Sequence, residues 1–539
     1  LASEGNTKKA SDTTPQERRG SAFARLNYEY GGRYMLAVNF RADASDRFVK
    51  KNRWGFFPSV NMGWRISEEP WLKSTTEDWL SNMKIRASWG MLGNDNVAQY
   101  MYEGTYALTG VSHSFTNSAT RATGAWLAVL GNENLRWEQV NQVDIGLDLG
   151  FFNNRLTVTY DYYNRQTRDM IYRGSLPLSS GMSYYFASDD PGNTVPIYLN
   201  AGLVENQGHE IAIGWKERRG EFEYGIQWNA SFNQNMVKQV GDAPGAEPID
   251  AGVDNSWTLL ARTQDGQPMG LFYGYNCLGI FQNQAQVDEY NEQALINWRN
   301  QNPDHPYGYA ANGQPLNADG KEMGIYWQKE NTGVGDLIFD DNGQGRVTEK
   351  SKKTIGNPWP KMEMGLTLSF AWKGIDLSAV FSGAFAFDIM NLMKPYTNMF
   401  SSDNTTANIF NTSCFGKGNT TVTADPRVGY LDANNSMIGD GAANKNYSTV
   451  SSYLIEDGSY FKLKNLSVGY TFPAKWTRKA KIEKLRLYFS TQNVFTISRY
   501  SGNDPEIGRY NGTQLLWNVD TQYRNLPNRL FSFGLDVMF

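Results

Sequence analysis

The chain has 539 residues and carries 51 basic against 55 acidic side chains, a net charge of −4 with no basic stripe, so electrostatic binding to nucleic acid is not supported. Aromatics make up 14 %, glycine contributes 52 residues and only 20 % of positions are charged, below the roughly 25 % of an ordinary soluble domain. Mean hydropathy is −0.54, and no apolar run nears the ~20 residues of a membrane helix. Such a chain can still be a membrane β-barrel, whose alternating strands hide their hydrophobicity from a window average.

Residues 1–20, LASEGNTKKASDTTPQERRG, have no periodic apolar positions and read as a flexible loop segment. From Ser21 onward period-2 alternation recurs. In Glu221 to Phe232, the side chains of Phe222, Tyr224, Ile226, Trp228, Ala230 and Phe232 share one face, and Glu221, Glu223, Gly225, Gln227, Asn229 and Ser231 the other. Met362, Met364, Leu366, Leu368 and Phe370 oppose Lys361, Glu363, Gly365, Thr367 and Ser369 in the same way, and Val143, Ile145, Leu147 and Leu149 oppose Asp144, Gly146 and Asp148. The pattern predicts 13 long strands: 21–30, 34–42, 54–65, 82–89, 137–150, 155–165, 203–216, 221–235, 359–372, 375–387, 458–472, 484–496 and 527–539.

A soluble β-sandwich alternates too, but these strands exceed the usual five or six residues. Their connections also sort by side. Those after the odd strands are short, or moderate where SEEPWLKSTTEDWLSN suggests a short helix. Those after the even strands are long (90–136, 166–202, 236–358, 388–457, 497–526), with 43–53 modest. Short turns at one end and long loops at the other are the pattern of an outer-membrane barrel. The ending RLFSFGLDVMF, an alternating strand with a terminal aromatic, resembles the insertion signal of bacterial outer-membrane proteins. The expected fold is therefore all-β, a transmembrane antiparallel barrel with long extracellular loops. Thirteen is an odd count, however, and a single bacterial chain closes with an even one. A spanning sheet cannot leave an edge open to lipid, so missing strands are expected upstream.

Specific segments narrow this further. NYEYGGRY (27–34), LAVNFRADASDRF, NRWGFFPSVNMGWRISEE, LSNMKIRASWGMLGNDN (80–96), GNENLRWEQVNQVDIGLDLGFFNNRLTVTYDYYNRQTRDMI, NAGLVENQGHEIAI (200–213), PMGLFYGYNCLGIFQNQ (268–284), TIGNPWPK (354–361), YFKLKNLSVGYTFP and NVFTISRYSGNDPEI together resemble the SusC-type TonB-dependent transporters of the Bacteroidetes outer membrane. The resemblance covers residues 21–539. It implies a 22-strand barrel with an N-terminal plug and a TonB-box segment, a SusD-type surface lipoprotein as lid, and a dimer of transporter–lid pairs. On that basis residues 21–539 are expected to be the C-terminal barrel portion, with the plug and first strands on an N-terminal portion of the same transporter, as a companion chain, and energy coupling by the TonB complex running through that portion. The implied activity is active import of oligosaccharides or oligopeptides. A siderophore or cobalamin receptor, or a non-transporting surface barrel, is the alternative.

Site residues are less marked. Trp126, Trp257, Tyr273, Trp327 and Tyr396 are candidates for substrate contact, because flat aromatic rings in extracellular loops stack on sugars or peptide side chains; loop packing competes at each. Asp340 to Ser351, DDNGQGRVTEKS, has the outline of a calcium loop, with Asp340, Asn342 and Gly345 at positions 1, 3 and 6. Gln344 and Ser351 stand at positions 5 and 12 in place of carboxylates, which should weaken a hard divalent cation site severely, and no metal is expected. Cys277, Cys414 and the three histidines are scattered. No Ser-His-Asp order, phosphate loop or nucleotide fingerprint occurs, so neither catalysis nor a cofactor is expected.

Overall fold

In the computed structural model, residues 17–76, 78–107, 112–113, 122–123, 126–175, 196–241, 247–253, 259–394, 426, 430–431, 437–438, 446–510, 515–521 and 527–539 are described. One antiparallel sheet dominates. Its 13 strands are β1 (Arg19–Tyr30), β2 (Tyr34–Ser45), β3 (Trp54–Arg65), β4 (Leu80–Asn94), β5 (Glu138–Phe151), β6 (Leu156–Arg168), β7 (Leu203–Arg219), β8 (Phe222–Gln239), β9 (Met362–Trp372), β10 (Ile375–Phe385), β11 (Tyr460–Thr471), β12 (Lys484–Ser498) and β13 (Leu530–Met538). Each pairs only with its neighbours in sequence, so the sheet is a continuous up-and-down meander. All thirteen strands expected from alternation are present, in order. Most extend a few residues past the expected ends, and the expected residues 359–361 precede β9 as irregular chain.

Register explains why the alternation was so regular. Followed across the sheet, one row runs Tyr30, Tyr34, Trp64, Ile85, Leu147, Tyr160, Ile211, Ala230, Met364. The adjacent row runs Glu29, Met35, Gly63, Arg86, Gly146, Asp161, Glu210, Ser231, Glu363, Ala384. Because successive side chains point to opposite faces, the first row belongs to an apolar face and the second to a polar one. A one-residue slip at any strand would exchange the two.

The turns 31–33, 152–155, 220–221 and 373–374, with the longer 66–79 and 472–483, lie at one end. The 66–79 connection contains α1 (Pro70–Thr76), the short helix anticipated there. Aromatic rings gather at this end: Tyr30, Tyr34 and Trp64 stack at 6.5 and 6.4 Å, Trp79 on Phe151 at 6.0 Å, and Phe222 meets Phe370 edge-on at 5.1 Å. Trp71, Trp79, Trp372 and Trp476 are exposed. Amphipathic rings of this kind settle at a membrane–water boundary.

The buried cores lie at the opposite end. Phe48, Phe57, Val97, Leu135 and Trp137 form one cluster from the connections after β2 and β4 and the strand beside them. Leu260, Ala261, Phe272, Met390, Leu392, Leu454, Leu516 and Val519 form another, drawn from the connections after β8, β10 and β12. Alternation did not anticipate this second layer. Its strands are two to five residues long, too short to show a period. Its helix α2 (Gln284–Gln301), capped by the Asn283 side chain, lies inside the expected loop 236–358 and buries only Val287 and Ala294.

Candidate functional site

The polar face of the sheet is the first element of the site. Arg86 of β4 holds Asp148 of β5 through two hydrogen bonds of 2.8 and 3.0 Å and reaches Asp161 of β6 at 2.9 Å. A glycine lets the three charges meet. A Cβ at Gly146 would lie 2.3 Å from the Asp161 carboxylate and 2.7 Å from the Arg86 guanidinium. Farther along, Arg486 of β12 binds Asp376 of β10 at 2.6 and 3.0 Å and Asp536 of β13 at 3.2 Å. Between these networks the row holds Asp161, Glu210 and Glu363 with Ser231. Asp161 and Glu210 face each other directly across β6 and β7, an arrangement that costs sheet stability. Among the described residues, the carboxylates of Glu210 and Glu363 make no hydrogen bond or ion pair.

The second element is a cavity of about 340 Å3 where this face meets the loops. Ser231 and Glu363 of the wall form its floor. Trp359, between Pro358 and Pro360, Phe387, Tyr460 and the 505–508 and 517–518 segments form its sides. Trp359 and Trp517 pack at 5.1 Å, and the Trp359 indole N–H donates to the Met269 carbonyl at 2.6 Å. Asn518 donates to the Pro358 carbonyl at 2.7 Å and accepts from the Gly508 N–H at 3.1 Å. Lys462 of β11, 1 % exposed, donates to Asp504 at 2.8 and 3.1 Å and to Glu506 at 3.1 Å, and Lys464 pairs with Glu506 as well. Burial pushes the Glu506 carboxyl upward, but the two lysines outweigh it and hold it below the usual carboxylate range.

The aromatic residues singled out in the sequence are dispersed. Tyr273 is half-buried in the short strand Leu271–Gly274, with the Arg262 guanidinium 3.9 Å above its ring and its hydroxyl donating to the Lys352 carbonyl at 3.0 Å. Trp327 is 8 % exposed, edge-on to Tyr290 at 5.0 Å, with its N–H donated to the Phe339 carbonyl at 3.0 Å; its ring packs the loop layer. Trp126 opens the short strand Trp126–Val129. Trp257 and Tyr396 lie outside the described residues. In the calcium-like stretch the carboxylates serve the chain itself. Asp340 accepts from the Asn342 N–H at 3.0 Å and pairs with Lys353 at 2.5 Å, while Asp341 accepts from the N–H groups of Gly343 and Gly345. Among the described residues, no group of three or more His, Cys, Asp or Glu could hold a metal ion. The aromatics that line the cavity described above, Trp359, Phe387, Tyr460 and Trp517, were not singled out. Trp359 had a visible signal, its position between two prolines in TIGNPWPK.

Residues 2–494 match the family model for the TonB-dependent receptor-like β-barrel. The chain belongs to that family. Members are receptors and transporters rather than enzymes, and the family places this barrel chain in the bacterial outer membrane. TonB-dependent receptor P3 of Formosa agariphila is 29 % identical over 532 residues, covering 96 % of this chain and 45 % of that protein. TonB-dependent receptor SusC of Bacteroides thetaiotaomicron is 26 % identical over 506 residues, covering 90 % and 41 %. The solved structure of the RagAB peptide transporter aligns with a TM-score of 0.69 at 20 % identity, over 96 % of this chain and 47 % of that one, a likeness of fold. The chain thus spans about half the length of the relatives it matches.

Proposed function

We propose that this TonB-dependent barrel chain is the C-terminal wall and loop layer of a SusC-type importer. The remaining strands and the plug come from a preceding portion of the same transporter, through which the TonB complex acts. A SusD-type lipoprotein closes over the loops, and the imported substrate is an oligopeptide or oligosaccharide. The observation that carries this reading is the thirteen-strand meander, whose polar face lies opposite a lipid-type apolar face and whose long-loop end builds a packed layer. A receiving surface of that form fits a barrel part rather than a free-standing domain.

The test is purification of the tagged transporter from native outer membranes with mass spectrometry of what accompanies it, followed by uptake in a strain lacking TonB. The reading expects a plug-containing N-terminal portion, a lipoprotein partner, and uptake that disappears without TonB. A tagged chain recovered alone as a closed barrel overturns it.

A further inference from the structure

The cavity between wall and loops has a composition that narrows the substrate. Its sides are mostly apolar: Trp359, Trp517, Phe387, Tyr460 and Ile507. Its volume of about 340 Å3 is at the lower end of small-molecule sites, enough for one bulky group and little more. Most of its polar atoms are already used. The Trp359 N–H, both ends of the Asn518 amide and the Glu506 carboxylate have partners within the protein, and the Asn233 side chain accepts from Tyr163 at 2.9 Å. The Glu363 carboxylate is the charged exception, being part of the lining and without a hydrogen bond or ion pair among the described residues. The walls are also fixed in place, by Pro358, Pro360 and Pro505 and by the Lys462 ion pairs that tie the 504–506 segment to β11.

A sugar ring is a poor match for this arrangement. Its hydroxyls would enter a pocket with few free partners, and each buried unpaired polar group weakens binding. A bulky apolar group beside a positive charge matches both features. We propose that this cavity is a specificity subsite for peptides, taking an aromatic or branched side chain while Glu363 receives the cation next to it, either the peptide amino terminus or a neighbouring lysine or arginine. The inference rests on the import reading above and names a substrate class for it.

The test uses the complete transporter with its lid, in detergent, and three fluorescent probes: a hexapeptide with adjacent phenylalanine and lysine, the same peptide with glutamate for lysine, and a maltohexaose. The wild type is expected to prefer the first. Glu363→Gln should weaken that probe about tenfold, as loss of one charge-assisted hydrogen bond does, and leave the glutamate peptide unchanged or improved. Glu363→Lys should reverse the preference between the two peptides. Equal binding of both peptides by all three proteins overturns the subsite and leaves import standing, as does preference for the maltohexaose. Loss of the N-terminal portion from purified Glu363→Gln and Glu363→Lys transporter overturns it too, because the cavity would then be filled by that portion. If the proposed import itself is wrong, TonB deletion leaves uptake intact, a result independent of Glu363.

Discussion

A lysine that is 1 % exposed needs its charge answered nearby, because an unpaired buried ammonium is severely penalised. Lys462 has two carboxylates at 2.8 to 3.1 Å, and both come from the loop after β12. The pairing therefore fastens that loop to the wall. Lys462→Met should leave Asp504 and Glu506 facing a buried apolar group, a loss of about 3–5 kcal/mol by the usual cost of breaking a buried pair. The expected outcome is rapid protease cleavage within 499–529 while the sheet stays resistant; equal resistance of the loop in variant and wild type would refute the fastening role. The Asp340–Lys353 pair makes a pH-dependent counterpart. The hydrogen bond from Lys353, followed by that from the Asn342 N–H, lowers the Asp340 carboxyl below its ordinary value. A carboxyl lowered in the fold stabilises above its unfolded pKa of about 3.9 and loses that contribution as pH falls through the lower folded value. Pepsin should therefore cut the 337–354 region more readily at pH 2.5 than at pH 5 relative to an Asp340→Asn chain, which should show little such change.

Strands were legible in the sequence because two environments alternate along each one, and a period of two survives over ten or more residues. The row from Tyr30 to Met364 and the row from Glu29 to Ala384 are that pattern seen crosswise. The loop layer gave no comparable signal. Tyr273 and Trp327 look alike in sequence, yet one lies under a guanidinium and the other is sealed in packing, a distinction that depends on contacts between segments far apart in the chain. The Trp359 cavity was hidden for the same reason, since its lining comes from β8, β9, β10, β11 and three connections. At this scale glycines in the wall are space left for neighbours. Gly146→Val should drive Arg86 away from Asp148 and Asp161, costing about 1–3 kcal/mol as overpacking does. The gel-shift unfolding temperature of the assembled barrel should fall, and Arg86→Met should fall by a similar amount with the double variant losing less than the sum. Strict additivity would mean that the glycine does not serve the ion network.

For the molecule as a whole, the decisive feature is the pair of outer strands. β1 pairs only with β2 and β13 only with β12 among the described residues, and every residue of β1 is exposed. Phe533, 84 % exposed, and Phe531 and Leu535 of β13 also lack cover. In an antiparallel strand alternate residues turn both N–H and C=O to the same side, so the 12 residues of β1 leave roughly a dozen polar groups on the outer edge. At several kcal/mol each in hydrocarbon, one open edge costs on the order of tens of kcal/mol. Native stability is only about 5–15 kcal/mol, so such a sheet cannot persist in a bilayer by itself. Closure needs strands that pair with both β1 and β13, which the proposed preceding portion supplies. Expressed alone and refolded in detergent, residues 1–539 should aggregate or give no heat-modifiable band on a gel. Co-expression with the preceding portion should restore that band. Cysteines placed in the outer edge of β13 and in the first strand of the preceding portion should then cross-link within one molecule. A compact, heat-modifiable band from residues 1–539 alone would show that β1 and β13 find each other, and the edge argument would fail with it.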